Sequence, residues 1–390
     1  MQTPATAPIN NDKPPILLPR LKVLHIISGD LWAGAEVQAY TLLTTLKDRC
    51  DLYVVLMNNG ELAQRLQLAG VTTEIIDEQK NSSFAILRQL IATIKNLKPD
   101  LIHTHRQKEN ILASLANLLA ATLPWRRIRS LRTTHGAPEH SAKGLKKAII
   151  WLDNNTGKYL QDAVIAVSKD LAQKLTATFP ARHIHIIENG IDSNALNQLT
   201  PAADIRAQAE DHIHIGIVGR LEPVKRVDLF IDIAKQLLDH TQINHTQAHK
   251  LKFHIIGDGK LKQHLTMQAQ QLGISQAIVF HGHRSDSTAA IAALDIVVMC
   301  SDHEGTPMTA LETLALGKPL VAHSVGGLRE VLADSPELLV SNHTAEGYSK
   351  CLLQLFEHPV KPLLNRVYTS EENAARTLQL YRTLTSKDVE

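Results

Sequence analysis

Short apolar runs rich in branched residues alternate with longer stretches of helical periodicity along most of this chain. Runs of roughly four to eight such residues are typical of buried β-strands, whereas helices need longer segments. In the front half the runs lie at 21–28, 51–58, 72–77, 100–105, 127–135, 162–168 and 184–190. Strands that alternate with helices in this way predict a parallel sheet covered by helices.

The alternation is interrupted by a polar stretch at 198–211 and then restarts. The second set of runs lies at 212–220, 252–259, 277–282, 295–301 and 319–324. We therefore predict two Rossmann-like, doubly wound α/β domains that face one another across a central cleft. Open sheets of this kind bind ligands at the carboxyl ends of their strands, so a site is expected in the cleft.

This pattern divides the chain into five segments. Residues 1–20 lack the basic start and long apolar stretch of a signal peptide, and we expect a flexible leader there. The first domain is predicted at 21–195 and the second at 212–365, with a linker at 196–211. The closing segment, 366–390, is predicted to be helical. No apolar run reaches the roughly eighteen residues of a membrane span.

The composition is that of a folded protein, since 44% of the residues are hydrophobic and 21% are charged. The three cysteines, Cys50, Cys300 and Cys351, form no CxxC pair and no disulfide framework. This pattern favours a reducing compartment and disfavours structural zinc. Net charge is only +2, but basic residues are concentrated in the front half and acidic residues in the back half.

The segment HEGTPMTALE carries two glutamates, Glu304 and Glu312, on either side of a predicted helix start. Pro307 suits the first helical position, Thr306 can cap it and Gly317 can end the helix. Glycoside hydrolase carboxylates lie roughly 5 to 9.5 Å apart, whereas this spacing corresponds to about 12 Å of helix. It instead suits a ligand with hydroxyls at both ends and an anion in the middle, such as a nucleotide sugar. The alternative is a first-turn acid that favours the helix dipole, followed by a solvated glutamate.

The segment SGDLWAGAE follows the first predicted strand and leads into a helix. Gly29 and Gly34 have the spacing of a P-loop, but Ala35 and Glu36 stand where Lys and Ser or Thr are required, which disfavours an ATPase. The GxGxxG fingerprint of NAD binding is also missing. The glycine turn can bring backbone N–H groups to a phosphate at the helix start, or it is a plain strand-to-helix turn.

The segment GRLEPVKR leaves the first strand of the second domain with Arg220, Lys225 and Arg226. A guanidinium fork and a lysine point charge suit the negative charge that grows on a departing diphosphate. The alternative is a solvated basic loop. Its position after a strand in the predicted cleft favours the binding function.

Histidine occurs 20 times, and several pairs have the HxH spacing that puts two rings on one face of a strand. A metal site needs a third ligand and no sequence cue supplies one, so we expect structural roles for these pairs. His135 differs because it ends a strand, before Gly136, where cleft ligands bind. The pairs are His103/His105, His183/His185, His212/His214 and His281/His283.

A basic and apolar surface is predicted at 124–132 and 143–152. Such a surface can hold a protein on an anionic membrane leaflet. The alternative is a helix that packs its apolar side on its own sheet and leaves its lysines in water. The residues concerned are Arg126, Arg127, Lys143, Lys146 and Lys147, close to Trp125, Ile149, Ile150 and Trp151.

Together these segments resemble the retaining glycosyltransferases of family four, which have the two-domain GT-B architecture. The resemblance covers almost the whole chain beyond the leader. Its specific segments are GRLEPVK and HEGTPMTALE with the following TLALGKPLVAHSVGGLRE, and AGAE, TTHG, AVSKDL and ENGID support them. The resemblance implies that the closing segment is a helix that crosses back onto the first domain.

The resemblance also implies roles for individual residues. Arg220 and Lys225 would bind the donor diphosphate, and Glu304 would bind hydroxyls of the transferred sugar. His135 would lie beside that sugar, and Gly34 would approach the phosphates from the first domain. These residues, without Gly34, form the predicted catalytic set.

The other residues implied by the resemblance lie in the second domain. Glu312 would bind the ribose hydroxyls, and backbone amides at Thr306 to Met308 would bind the sugar and phosphate. The segment HGHR, 281–284, matches the nucleobase edge. The predicted donor-binding set is Gly34, Gly257, His283, Arg284, Gly305, Thr306, Pro307, Met308 and Glu312.

The family usually retains the anomeric configuration without a divalent metal, which agrees with the lack of an Asp-x-Asp segment in this sequence. Positive side chains and helix amides can supply the electrostatic function of a metal. Two positions depart from the family pattern. Arg226 stands where the family often has glycine, and Thr306-Pro307 replaces the commoner Phe-Gly.

The sequence therefore predicts a cytoplasmic, retaining glycosyltransferase without cofactor or metal. It would move a hexose or N-acetylhexosamine from a nucleotide sugar, with UDP- and GDP-sugars as the favoured donors. The acceptor would be a glycan or glycolipid of cell-surface polysaccharide or lipopolysaccharide synthesis. Peripheral attachment to the inner face of the cytoplasmic membrane is a separate hypothesis, and no nucleic-acid partner is expected. The rival hypotheses are a nucleotide-sugar epimerase or sugar phosphorylase of the same architecture, and a non-catalytic nucleotide-sugar-binding subunit.

Overall fold

Two parallel sheets flanked by helices make up the protein. The computed structural model describes residues 20–123, 127–136, 144–207, 209, 211–243 and 250–386. A seven-stranded sheet lies in the front half of the chain and a six-stranded sheet in the back half. The two-domain α/β architecture predicted from the sequence is confirmed.

The first sheet reverses its winding direction in the middle. Its strands are β1 (Lys22–Ile27), β2 (Asp51–Leu56), β3 (Thr72–Ile75), β4 (Leu101–Thr104), β5 (Arg129–Thr134), β6 (Ala163–Ala166) and β7 (Ile184–Ile186), in the order β3-β2-β1-β4-β5-β6-β7. The helices are α1 (Gly34–Leu46), α2 (Glu61–Leu68), α3 (Ser83–Leu97), α4 (Gln107–Ala120), α5 (Leu145–Leu160) and α6 (Lys169–Leu175). The switch point between β1 and β4 opens a crevice at the carboxyl ends of these strands.

The second sheet repeats this arrangement. Its strands are β8 (Ile213–Val218), β9 (Leu251–Ile256), β10 (Ile278–Gly282), β11 (Ile296–Met299), β12 (Leu320–His323) and β13 (Leu339–Val340), in the order β10-β9-β8-β11-β12-β13. Its switch point lies between β8 and β11. The helices after β7 are α7 (Ser193–Asn197), α8 (Ala203–Arg206), α9 (Val227–Ile243), α10 (Lys262–Gln271), α11 (Ser287–Ala293), α12 (Met308–Ala315), α13 (Leu328–Val331), α14 (Ala345–Glu357) and α15 (Ser370–Ser386).

The edge strand β13 has no counterpart among the predicted strands. It has two residues and pairs in parallel with β12 through Leu339 and Val340. A run this short carries no periodicity from which a strand can be recognised. Its place in the sheet is set by packing against β12 rather than by its own pattern.

The closing helix α15 packs on the first domain although it follows the second in the chain. Its Leu380, Tyr381 and Leu384 are buried in one cluster with Val23 of β1 and Leu42 of α1. Burying these apolar side chains supplies the main driving force for the contact. The helix thereby ties the end of the chain to the core of the first domain.

The segment predicted to be a linker, 196–211, packs on the second domain. Ile205 of α8 belongs to the core cluster of that domain. The Ala202 N–H donates to Ala289 O at 2.9 Å, and Arg206 forms an ion pair with Asp295. The described part of this segment is therefore fixed to the second sheet and its helices.

Candidate active site

Glycines at the ends of three neighbouring strands give the second sheet a flat backbone edge. Gly219 follows β8, Gly257 follows β9 and Gly282 ends β10, with φ values of 154°, 144° and 71°. The Gly257 N–H donates to Gly282 O at 2.8 Å. A Cβ atom on Gly257 would lie 1.9 Å from Gly219 O, so only glycine fits there. These glycines present no side chains of their own, so a ligand can approach the backbone of this glycine ledge closely.

Lys225 and Glu304 form an ion pair at the same edge. Lys225 follows β8 and Glu304 follows β11, so the switch point brings the two loops together. Lys225 Nζ donates to Glu304 Oε1 at 2.5 Å, and only 9% of the glutamate side chain is exposed. The structure thus joins two predicted catalytic residues that lie 79 positions apart in the chain.

Arg220 begins the loop that carries Lys225, and it is exposed. Within the described part of the chain its guanidinium has no hydrogen-bond or ion-pair partner. A free guanidinium beside a switch point can bind an anion with two parallel hydrogen bonds. Arg220 and Lys225 therefore supply one unpaired and one paired cation to the same edge.

Arg226 has the left-handed backbone that explains the family preference for glycine at its position. Its φ is 49° and its ψ is 45°. This conformation costs a residue with a Cβ atom roughly 1 to 2 kcal/mol. Its guanidinium pairs with Asp228 at 3.1 Å and with Asp302 at 3.5 Å. The side chain therefore points to aspartates rather than standing free like Arg220.

Helix α12 begins directly after the turn that carries Glu304. Pro307 is its N-cap residue, with extended angles (φ −74°, ψ 132°) and no side-chain capping hydrogen bond. The prediction that Thr306 caps the helix and Pro307 occupies its first helical position is wrong, because Thr306 Oγ1 donates to Val167 O of the first domain instead. Gly317 follows the helix with φ 65°, as predicted. The first amides of α12 have no side-chain cap and can bind an anion.

Glu312 lies on α12 with most of its hydrogen-bonding capacity unused. The residue is 7% exposed, and Thr288 Oγ1 donates to its Oε1 over a long distance of 3.4 Å. Burial raises the pKa of its carboxyl to about 7. A carboxylate has about four acceptor positions, so this one can still accept hydrogen bonds from hydroxyls of a ligand.

The first domain meets this turn through His135 and Gly34. A Cβ atom on Gly305 would lie 2.6 Å from His135 O, so the Glu304 turn packs against the end of β5. A Cβ atom on Gly34 would lie 3.9 Å from Met308 Cγ, which places the start of α1 against the start of α12. Both ring nitrogens of His135 are buried without a hydrogen-bond partner among the described residues. Burial lowers the pKa of this imidazole to about 4, so the ring is neutral.

Hydrogen bonds between the domains surround the site. Thr306 O accepts from Asn189 Nδ2 at 2.7 Å. Glu330 Oε1 accepts from the Lys169 N–H at 2.9 Å. Asn189 belongs to ENGID, Lys169 to AVSKDL and Glu330 to GGLRE. Segments that lie far apart in the sequence therefore meet where the two domains touch.

The predicted nucleobase edge lies at the end of β10. His283 is exposed. The side chain of Arg284 is only 16% exposed and pairs with Asp204 at 2.5 Å and Asp286 at 2.7 Å. Hydrogen bonds to Asp286 and Asp204 raise the pKa of Arg284. Its guanidinium thus holds α8 to the second domain, and its contact with a nucleobase stays a prediction.

The structure places charged residues behind the first-domain side of the cleft that the sequence analysis did not predict. Arg106, directly after HTH at the end of β4, donates to Asp30 Oδ1 at 2.7 Å and to Glu36 Oε1. Glu109 is 1% exposed, and neither carboxyl oxygen has a hydrogen-bond partner in the described ranges. Burial raises the pKa of Glu109 to about 7. The position of Arg106 after a strand at the switch point is the signal that could have found this group.

Three histidines, two of them members of HxH pairs, form a row across the second sheet. His214 on β8, His254 on β9 and His281 on β10 are joined by contacts from Nδ1 to Nε2 of 2.9 Å each. The other nitrogen of His214 contacts Ala209 O at 2.8 Å. These rings are therefore hydrogen-bonded to one another within the second domain.

Two family models match consecutive parts of the chain. The model described as Glycosyltransferase Family 4 matches residues 32–195, and the model described as Glycosyl transferases group 1 matches residues 202–373. One model therefore covers most of the first domain, and the other covers the second domain and the beginning of α15.

Curated relatives and solved structures agree with this match. The UDP-Gal:alpha-D-GlcNAc-diphosphoundecaprenol alpha-1,3-galactosyltransferase of Escherichia coli is 25% identical over 324 residues, or 79% of this chain and 80% of that protein. The putative glycosyltransferase EpsF of Bacillus subtilis is 24% identical over 94% of this chain and 98% of its own. Anabaena HepE, solved in complex with UDP-glucose, shares the fold with a TM-score of 0.74 and 22% identity over 94% of this chain and 98% of its own. The chain therefore belongs to the family four glycosyltransferases of the GT-B fold.

Proposed function

We propose that this glycosyltransferase retains the anomeric configuration, works without a metal ion and uses a UDP-linked hexose or N-acetylhexosamine as donor. The observation that carries the proposal is the convergence of Lys225, Glu304 and the uncapped start of α12 at one end of the second sheet. Glu312 follows on the same helix. A nucleotide sugar has matching groups in the same order: sugar hydroxyls, a diphosphate and a ribose diol.

The diphosphate of the donor would lie between the glycine ledge and the start of α12. Backbone amides, Lys225 and Arg220 would bind its oxygens. Donor binding would open the ion pair, so that Lys225 turns to a phosphate while Glu304 accepts hydrogen bonds from the sugar. Glu312 would accept hydrogen bonds from the ribose hydroxyls.

The reaction places negative charge on the leaving diphosphate. Lys225, Arg220 and the α12 amides would stabilise that charge, which is the electrostatic function that a metal ion has in other sites. We place attack by the acceptor hydroxyl on the face from which the diphosphate leaves, which retains the configuration. The bond to the acceptor oxygen forms as the bond to the phosphate oxygen breaks, and the leaving phosphate takes the hydroxyl proton.

The choice of UDP and of a lipid-linked acceptor rests on the relatives. The Escherichia coli relative is named for UDP-Gal and for GlcNAc-diphosphoundecaprenol, and HepE is solved with UDP-glucose. We therefore propose a lipid-linked glycan of cell-surface polysaccharide synthesis, lipopolysaccharide included, as the acceptor class. Such a substrate is held at a membrane surface.

The exposed face of α5 supports peripheral attachment to a membrane. Leu145 and Trp151 are 79% and 65% exposed, and Ile149 and Leu152 also face solvent. Lys146 and Lys147 on the same helix are exposed, and apolar side chains beside lysines suit an anionic leaflet. The described helices include none with the length and apolar character to span a bilayer. Trp125, Arg126 and Lys143 of the predicted surface lie outside the described residues.

Liposome flotation tests this attachment. We expect the protein to float with anionic vesicles at low salt, and the double variant Leu145→Ser and Trp151→Ser to remain behind. Leu68→Ser is the matched control because Leu68 is 90% exposed on α2. Failure of the unaltered protein to float at low salt would rule the attachment out.

A thermal-shift screen followed by transfer assays tests the proposed reaction. We expect UDP and UDP-sugars, but not GDP or ADP, to raise the melting temperature, and EDTA to leave the rise unchanged. Radiolabelled donor with a GlcNAc-diphosphate lipid acceptor should then give a product with the donor's anomeric configuration. An altered sugar without acceptor would indicate an epimerase, phosphate-dependent cleavage a phosphorylase, and binding without turnover a non-catalytic subunit.

A further inference from the structure

A row of aromatic side chains lies buried in the first domain between its closing helix and the cleft. His25 lies on β1, His103 on β4, His105 directly after β4 and His135 directly after β5, whereas Tyr381 comes from α15. The ring planes of His103 and His105 meet at 18°, and those of His105 and His135 at 16°. Of these rings, only that of His135 is predicted to lie beside the transferred sugar.

Hydrogen bonds connect the row from the helix towards the cleft. Thr133 Oγ1 lies 2.8 Å from His103 Nε2, and Tyr381 Oη lies 2.6 Å from His103 Nδ1. Tyr381 Oη is also 3.3 Å from His25 Nε2, and His25 Nδ1 lies 3.3 Å from His105 Nε2. Each nitrogen of His103 and His25 therefore has a partner. Nδ1 of His105 is buried without one among the described residues.

These contacts fix the ring protons as a set. A neutral imidazole has one N–H donor and one acceptor nitrogen, so the proton on one ring decides which nitrogen of the next ring is protonated. The Tyr381 hydroxyl transmits this choice because it donates to one histidine and accepts from the other. Burial lowers the pKa of His25 to about 3 and those of His103 and His105 well below the usual value, which keeps the rings neutral.

The same histidines are close enough to suggest a metal site, with one nitrogen of each of His25, His103 and His105 within 4.8 Å of the others. Their ring planes argue against it. Imidazole lone pairs lie in the ring plane, so two stacked rings cannot both direct a lone pair at one ion. His103 and His105 are stacked with centroids 4.5 Å apart, and both nitrogens of His103 are engaged. We therefore interpret the row as a hydrogen-bonded chain.

His135 is the end of this row at the cleft. Neither of its ring nitrogens is hydrogen bonded to a described residue, so no hydrogen bond from the described part of the chain fixes the ring. Its ring stacks on His105 with centroids 5.9 Å apart. Its carbonyl packs against the Glu304 turn at Gly305. The ring of His105 is therefore a contact that can set the orientation of the His135 ring.

We propose that His105, held by the chain from Tyr381 through His103 and His25, is a positioning residue that orients the His135 ring at the cleft. The proposal rests on the proposed function and on the predicted place of His135 beside the transferred sugar. It makes docking of α15 on the first domain a condition for the geometry of the site.

Tyr381→Phe tests the chain because it removes one hydroxyl and keeps the ring that packs in the core. Tyr53→Phe is the matched control, since it also removes a hydroxyl, which donates to Glu74 Oε2 at 3.1 Å. Tyr53 and Glu74 lie on β2 and β3, whereas the histidines of the row lie on or directly after β1, β4 and β5. Side-chain ¹H–¹⁵N correlation spectra of histidine-labelled protein report which ring nitrogen is protonated, and single His→Gln variants assign the signals. We expect Tyr381→Phe to change the signals of His105 and His135.

The control variant should leave those signals as in the unaltered protein. Unchanged His105 and His135 signals in folded Tyr381→Phe would overturn the proposal. The spectra need neither donor nor acceptor. They therefore test the hydrogen-bonded chain of side chains even if transfer assays contradict the proposed function.

Turnover gives the second measurement. We expect Tyr381→Phe to lower kcat about fivefold, the effect of one net hydrogen bond. The KM for the donor should stay within about twofold, because the proposed donor contacts lie mainly in the second domain, and Tyr53→Phe should change neither. Unaltered kcat together with changed His135 signals would also overturn the positioning role. So would an equal loss of kcat in the control.

Discussion

The two walls of the cleft present different kinds of groups. The second-domain wall offers the glycine ledge, the exposed Arg220, the Lys225–Glu304 pair and the uncapped start of α12. The first-domain wall buries several of its polar groups, since Glu109 is 1% exposed and the ring nitrogens of His135 are buried. Groups on the second wall can act by touching a ligand, whereas a fully buried group behind the first wall, such as Glu109, can act only by holding others in place.

The largest effect is expected from Lys225→Ala, which removes a cation from the second wall. Turnover should fall about a hundredfold at saturating donor if Lys225 stabilises the leaving diphosphate. The matched control is Lys235→Ala, because Lys235 on α9 also loses an ion pair, to Asp239 at 2.5 Å. Initial rates of sugar transfer measure both variants. Unchanged turnover in folded Lys225→Ala would mean that the second wall does not act by contact.

Glu109→Gln tests whether a carboxyl behind the first wall affects stability alone. Its pKa is about 7 in the folded protein, whereas the ordinary value for a glutamate is 4.5. The folded state therefore keeps the proton to higher pH, and folding stability falls as the pH rises from 4.5 to about 7. The loss over this range is about 3 kcal/mol. Glu109→Gln removes this pH-dependent loss of stability. The free energy of unfolding of the variant should therefore rise relative to that of the unaltered protein as the pH increases from 5 to 8.

Urea unfolding at the two pH values measures this gain. Glu346→Gln, at an exposed glutamate in the first turn of α14, is the control that should show none. The donor KM of Glu109→Gln should not change. A raised KM would place Glu109 in contact with a ligand. It would contradict the interpretation that the buried groups behind the first wall only hold other residues in place.

Glu312→Gln is the counterpart on the second wall, where a buried carboxyl of the same pKa faces the proposed ribose. The variant should bind UDP-glucose about tenfold more weakly at pH 8, because hydrogen bonds to a charged acceptor are stronger. The carboxylate form of Glu312 is lost as the pH falls through about 7. Affinity of the unaltered protein should therefore drop from pH 8 to pH 6, and that of the variant should stay level. Calorimetric titration at the two pH values measures these affinities. A parallel drop in both proteins would show that Glu312 does not bind the ribose.

The second wall was largely predictable because its groups lie on short segments at strand ends. The alternation of strands and helices places the loops after β8 and β11 at the carboxyl ends of strands, where such sheets bind ligands. The resemblance to the family then assigned Lys225 and Glu304 to one site before the strand order was known. The cap of α12 could not be predicted, because the Thr306 hydroxyl bonds to Val167 O, 139 positions away in the other domain.

The interior of the first wall depends on contacts that no local pattern contains. The HxH spacing placed His103 and His105 on one strand face, but not His25 beside them. The contact of His103 with Tyr381 spans 278 positions and depends on how α15 packs. Propensity and periodicity describe neighbours in the chain, and long-range packing decides which buried polar groups become partners.

Arg226→Gly should have the smallest effect, and it separates Arg226 from its neighbour Lys225. Glycine relieves the left-handed strain of roughly 1 to 2 kcal/mol, but it loses the ion pairs of a side chain that is 34% exposed and adds freedom to the unfolded chain. These terms offset, so the free energy of unfolding should change by less than about 1 kcal/mol and turnover by less than about twofold. Arg226→Ala keeps the strain and loses the ion pairs, so urea unfolding should find it less stable than Arg226→Gly. If Arg226→Gly lowered turnover as far as Lys225→Ala, Arg226 would act by contact too, and the second wall would bind the donor through more cations than Arg220 and Lys225.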